Sequence, residues 1–147
     1  MTQVWGIVVA GGLGSRFGGR KQFEQLGGEA LWEWSRRALV NGGVADVVVV
    51  GDVGGGAPPG PRRRDSVRSG LDRIPEGVPY VLIHDAARPL ASNDLVRRVL
   101  ARLTRGDVDG VVPVIPVRDA IKHVTGDKVL GSLDRTDLVQ VQTPQGF

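Results

Sequence analysis

The chain has 147 residues, 41% of them apolar, and carries 19 Lys and Arg against 16 Asp and Glu for a net charge of +3. That is enough for a single domain with a core, and the small charge surplus argues against a protein that coats nucleic acid. With no cysteine, disulfides, thiolate metal sites and thiol nucleophiles are excluded; with no apolar run near the ~18 residues of a membrane span and no signal-peptide layout, a cytoplasmic location is expected.

Two biases point to where function lies. Arg supplies 16 of the 19 basic residues, and its planar fork grips phosphate or carboxylate at two points. Gly accounts for 22 positions that cluster rather than repeat, which marks loops where backbone comes close to a ligand.

Taken in chain order, Gln3 to Ala10 (QVWGIVVA) is a β-branched apolar run closed by Gly11-Gly12, as expected of a strand buried on both faces. Gly11 to Gly28 is too rich in glycine for regular structure. Leu31, Trp34, Ser35 and Ala38 then recur at helical spacing until Asn41-Gly42-Gly43 stops the helix. Ala45 to Val50 predicts a second strand, and Gly51 to Pro61 a loop. Asp65 or Ser66 is placed to cap a short helix ending near Ile74. Tyr80 to His84 predicts a third strand, Ser92 the cap of a helix ending near Thr104, and Val111 to Val117 a fourth strand. Strands spaced by helices imply an α/β domain: a Rossmann-like, mostly parallel sheet with helices on both faces. From Arg118 to Leu133, two β-prone pieces flank Thr125-Gly126-Asp127 and predict a hairpin projecting from that sheet, of a kind that often pairs with a partner subunit. The ending at QTPQGF, without a closing helix, reads as abrupt for a doubly wound domain.

In an open parallel sheet the ligand lies beyond the carboxyl ends of the strands, so the loop AGGLGSRFGGRKQ, leaving the first strand, is at the site by position. A dinucleotide fingerprint matches Gly12 and Gly14 but meets Phe17 where its third glycine belongs, and only Asp52 after the second strand supports it. A Walker loop fails because Gly19 is followed by Arg20, Lys21 and Gln22. The remaining phosphate-binding reading has backbone N–H groups wrapping a triphosphate, with Arg16 and Lys21 as cations on the same loop. The bland alternative is a turn with solvated cations.

After the third strand comes His84-Asp85-Ala86-Ala87-Arg88-Pro89. Asp85, flanked by small residues, suits Mg2+, which takes one or two carboxylates with phosphate oxygens and waters; Arg88 is placed to hold a second anion. Asp85 also suits a turn or an N-cap, and Pro89 supports a turn. His84, with no second ligand at metal spacing, reads as a packed, hydrogen-bonded side chain. Arg62-Arg63-Arg64 reads as a solvated or nonspecific anion patch, and Ser66 as a helix cap before a nucleotide contact.

The segments AGGLGSRFGGRKQF, RRRDSVRSGL, VLIHDAARP, VIPVRDAIK, LDR and VQTPQGF occur in the order found in the 2-C-methyl-D-erythritol 4-phosphate cytidylyltransferases, a family this chain resembles over essentially its whole length. The glycine loop is shared with the wider nucleotidyltransferase superfamily; HDAARP with QTPQ is narrower. The resemblance implies transfer of a cytidylyl group from CTP to a polyol phosphate, with release of pyrophosphate. It further implies Arg16, Lys21 and Arg135 as catalytic residues and Asp85 as the Mg2+ ligand. The CTP cradle would comprise Ala10, Gly11, Gly12, Leu13, Gly14, Gly60, Ser66 and Ala86, with Arg88 and Thr143 as substrate contacts. It also implies a homodimer through the hairpin at 118–135, Arg135 acting in the neighbouring subunit's site. Two departures stand out: Ala120 in PVRDAIK replaces the family's usual Thr, and family members continue well past QTPQ. The first leaves a ribitol-phosphate or other polyol-phosphate cytidylyltransferase open; the second, a nucleotide-binding but inactive fragment of about two thirds of the enzyme.

Overall fold

The computed structural model describes residues 3–15 and 18–147. Its centre is a four-stranded sheet. The strands β1 (Val4–Val9) and β4 (Asp46–Val50), with β5 (Tyr80–Asp85), run parallel, and β10 (Gln145–Gly146) closes one side antiparallel, in the order β10-β5-β1-β4. The alternation of strand residues serves two helical layers. Val4 and Val8 face α1 (Leu31–Gly42) and α3 (Asn93–Leu103), burying Leu39, Leu82, Val96, Val99 and Leu103 with them. Ile7 and Val50 face the opposite side, where they pack with Ala57 and, through Gly70, against α2 (Arg63–Leu71). Each fully buried aliphatic side chain contributes about 2 kcal/mol, so the parallel core follows directly from the β-branched runs. Helices therefore cover both faces, as expected.

The helix α1 ends at Gly43 in the left-handed conformation, and α3 begins at Ser92, whose Oγ accepts the Leu95 N–H at 3.1 Å. The cap of α2 differs from the sequence expectation. Arg62 is the N-cap, and Asp65, three residues in, reaches back to accept the Arg62 N–H at 3.2 Å. Ser66 lies inside the helix with its hydroxyl turned to Gly60, so it caps nothing.

Three further differences concern the sheet and its loops. The expected fourth strand is broken: Val111 reaches the main sheet only through an antiparallel bridge to Gly146 of β10, while β6 (Val114–Pro116) pairs antiparallel with β9 (Val139–Val141) in a separate ladder. Pro113 and Pro116 lack N–H donors, which disqualifies the segment as a central strand, and β10 takes that place beside β5. The glycine-rich stretch is not wholly irregular. It contains a 3-10 turn at Lys21–Phe23 and a small ladder of β2 (Gln25–Leu26) with β3 (Glu29–Ala30). The outer edge of β4 is blunted, because Asp46 Oδ1 takes the Val47 N–H and Ala57 pairs with Val49 and Gly51, which protects it from pairing with another chain.

The hairpin is where the sequence places it: β7 (Lys122–Thr125) and β8 (Lys128–Ser132) turn through Gly126-Asp127. It makes no ladder with the main sheet, and Val124, Val129, Leu130 and Leu133 are exposed along it. Among the described residues, no helix is long and apolar enough to cross a membrane.

Candidate functional site

The carboxyl ends of β1 and β5 open into a cleft of about 940 Å3. It is lined by the glycine loop from Ala10 to Leu13, by Arg20 to Gln22, by Pro59 to Arg63 with Ser66, and by Asp85 to Arg88. Three stretches far apart in sequence thus meet where an open α/β sheet binds its ligand.

The glycine loop is shaped by close approach. A Cβ on Gly11 would lie 2.2 Å from Pro59 Cβ, so a glycine is needed for the loop to reach the Pro59-Gly60 wall. Gly14 has φ of 66°, and a Cβ there would meet the Gly19 carbonyl, a position that side-chain-bearing residues rarely adopt. Gln22, buried beneath the loop, donates from Nε2 to the carbonyls of Ala10 and Gly12, both at 2.8 Å. Across the cleft, the Ser66 hydroxyl accepts the Gly60 N–H at 3.0 Å and fixes that wall. Arg20 is ion-paired with Asp52 on the loop after β4.

Asp85 ends β5 with its carboxylate held between two guanidiniums. Arg63 Nε donates to Oδ1 at 3.1 Å, and Arg88 Nε lies 3.4 Å from Oδ2. Arg88 also donates to Gln142 Oε1. The backbone after Asp85 turns back, the Arg88 N–H donating to the Asp85 carbonyl at 3.0 Å. From the core side, the fully buried Ser35 of α1 donates its hydroxyl proton to the Ala86 carbonyl at 3.0 Å.

Beneath the turn, His84 is fully buried. Its Nε2 lies 3.1 Å from the Arg88 carbonyl, and its Nδ1 2.7 Å from Thr143 Oγ1. Burial lowers the imidazole pKa from 6.5 to about 4, the Arg88 carbonyl and Asp85 opposing this only in part. The ring is therefore neutral: Nε2–H donates to the carbonyl, and Nδ1 accepts the Thr143 hydroxyl. The Thr143 oxygen in turn accepts the Asp85 N–H at 3.4 Å. This chain of bonds ties the Asp85–Arg88 turn to the segment leading into β10, in agreement with the packed role read for His84.

The cleft thus gathers Lys21, Asp85, Arg88, Ala86, Gly60, Ser66 and Ala10 to Leu13 from the expected set. Gly14 continues the same loop. Arg16 lies outside the described residues. Thr143 is buried, its hydroxyl engaged by His84. Arg135 stands outside the cleft on the exposed arm, where its guanidinium donates to the Arg118 carbonyl. Sequence reasoning missed Gln22 and Ser35, and it read Arg63 as part of a surface patch.

The model of the family described as 2-C-methyl-D-erythritol 4-phosphate cytidylyltransferase matches residues 4–147. The chain belongs to that family. A bifunctional enzyme IspD/IspF of Solidesulfovibrio magneticus is 38% identical over 172 aligned positions, covering 98% of this chain and 43% of that protein. A 2-C-methyl-D-erythritol 4-phosphate cytidylyltransferase of Corynebacterium efficiens is 38% identical over 167 positions, covering 96% of this chain and 67% of the relative. The crystal structure of the 2-C-methyl-D-erythritol 4-phosphate cytidylyltransferase from Thermus thermophilus superposes with a TM-score of 0.75 at 34% identity, covering 96% of this chain and 68% of that one. The chain spans less than half the length of the bifunctional relative and about two thirds of the single-function ones.

Proposed function

We propose that this chain transfers a cytidylyl group from CTP to 2-C-methyl-D-erythritol 4-phosphate, forming CDP-methylerythritol and releasing pyrophosphate. The observation that carries the reading is the convergence of the glycine loop, the Gly60-Ser66 wall and the Asp85–Arg88 turn on one cleft, with Lys21, Arg63 and Arg88 around it. A phosphate oxygen of the polyol phosphate attacks the α-phosphorus of CTP, the new P–O bond forms, and the bond to the pyrophosphate oxygen breaks. Since the nucleophile is already an anionic oxygen, the chain needs no nucleophilic side chain. Its task is to position two mutually repelling anions and offset the charge that builds on the phosphorus. Lys21 and Arg16 are assigned that neutralisation, the glycine loop with Gly60, Ser66 and Ala86 the nucleotide, and Arg88 and Thr143 the polyol phosphate.

A divalent ion, Mg2+ first, fits the donor set in one way. Among the described residues no group of three potential ligands occurs, and Asp85 lines the cleft beside the small Ala86 and Ala87. One carboxylate suits a metal that arrives on a triphosphate and keeps its waters, not one caged by protein. Bound there, the ion would supply charge neutralisation to the phosphates. Asp85 would hold it, and Arg63 and Arg88 must then turn from the carboxylate to the incoming anions.

The arm supports a homodimer, because its exposed Val129, Leu130 and Leu133 form an apolar edge that a second copy would cover; Arg135 would then serve the neighbouring site. The deciding experiment is pyrophosphate release by the 147-residue chain with CTP, Mg2+ and either methylerythritol phosphate or ribitol 5-phosphate. Turnover with the first is expected. Preference for the second would favour the reading that Ala120 supports, and no turnover despite CTP binding would make the chain a nucleotide-binding fragment.

A further inference from the structure

We infer that Gln22 is the positioning residue that aims the backbone of the glycine loop at the polyphosphate tail of the nucleotide. The inference rests on the nucleotide reading above and adds a residue and a device to it. In a trans peptide the carbonyl of one residue and the N–H of the next point in opposite directions. Gln22 draws the carbonyls of Ala10 and Gly12 inward with one amide group, each at 2.8 Å. The N–H groups of Gly11 and Leu13 therefore project away from Gln22, on the exposed side of the loop. Among the described residues no backbone acceptor takes either of them. Leu13 is 75% exposed. Two donors separated by one residue, with Lys21 lining the same cleft, offer anionic oxygens backbone and cationic contacts together.

The need for a tether follows from composition. Gly11 and Gly12 have no side chain to fix their peptide planes, and without Gln22 the planes are free to rotate and scatter the donors. Gln22 is only 6% exposed, and both amide protons are spent on the two carbonyls, so it has no donor left for the substrate. It acts through the loop. An isosteric donor-free side chain should leave the core packed and loosen only the aim of the two N–H groups.

The test uses the 147-residue chain, native and Gln22→Met, with inorganic pyrophosphate, CTP and cytidine as probes. In 1H–15N spectra of the native chain, saturating pyrophosphate should move the Gly11 and Leu13 amide signals downfield. Gln22→Met should bind pyrophosphate and CTP about tenfold more weakly, the scale of one charge-assisted donor lost, with cytidine affinity unchanged. A merely structural role would weaken all three ligands together. Amide signals that stay in place at saturation, or equal pyrophosphate affinity in a folded variant, would overturn the inference. Should Gln22→Met not fold, Gln22→Leu is measured in its place, and unmoved Gly11 and Leu13 signals in the native chain overturn the inference in either case. If the native chain binds neither pyrophosphate nor CTP, the nucleotide reading fails, and the inference falls with it.

Discussion

Acidification tests the buried His84. Its pKa is about 4 in the folded chain against 6.5 when unfolded. Above pH 6.5 the ring is neutral in both states and contributes nothing to pH dependence. As the pH falls below 6.5 the unfolded chain takes up a proton that the folded chain refuses, so stability is lost progressively down to about pH 4, where the folded ring is protonated too. Each unit is worth about 1.4 kcal/mol, so the loss attributable to this ring reaches about 3 kcal/mol. Urea unfolding of the native chain and of His84→Gln at pH 7, 6, 5 and 4.5 isolates the effect, since the two chains differ only at this side chain. The variant should be less stable at pH 7 because it loses the geometry joining Arg88 and Thr143, yet should decline less steeply with acid, by about one proton's slope. Parallel pH profiles would refute the reasoning and mean that the ring is protonated in the folded chain.

Four other outcomes follow from the site. Ser66→Ala leaves the partly buried Gly60 N–H without its acceptor and should cost about 1–2 kcal/mol in urea unfolding. Arg63→Gln removes the guanidinium from Asp85 Oδ1 and should strengthen Mn2+ binding in the absence of nucleotide, read by electron paramagnetic resonance. The ion pair is half-exposed, so stability should change by less than about 1 kcal/mol. Lys21→Ala should lower the rate of pyrophosphate release by about 10²–10³-fold, the scale of one lost transition-state donor, with CTP still bound. On the proposed dimer, Leu130→Asp on the hairpin should shift sedimentation velocity to the monomer, with thermal stability of the monomer unchanged because the side chain is exposed and packs into no core cluster.

The sequence makes β1, β4, β5, α1 and α3 legible because each is set by local signals: β-branched runs, an apolar stripe, a serine cap and a glycine stop. The cleft was legible in outline for a related reason, since ligands in this class of sheet lie past the carboxyl ends of strands and the motifs stand there. What could not be read depends on contacts between distant residues. The two-residue β10 carries no strand signal of its own; it exists because Gln145 and Gly146 find the edge of β5. Gln22 acquires its role only from carbonyls ten and twelve residues away, and Thr143 only from His84, 59 residues earlier. Even so, part of this is recoverable. Ser35 lies on the buried stripe of α1 among Leu31, Ala38 and Leu39, and His84 sits inside the apolar run of β5. A polar group placed on a core face must find a partner or destabilise the fold. The pattern therefore identifies such residues as bonded within the fold, and since both elements lead to the cleft, it predicts that their partners belong to the site's backbone, as the carbonyls of Ala86 and Arg88 do.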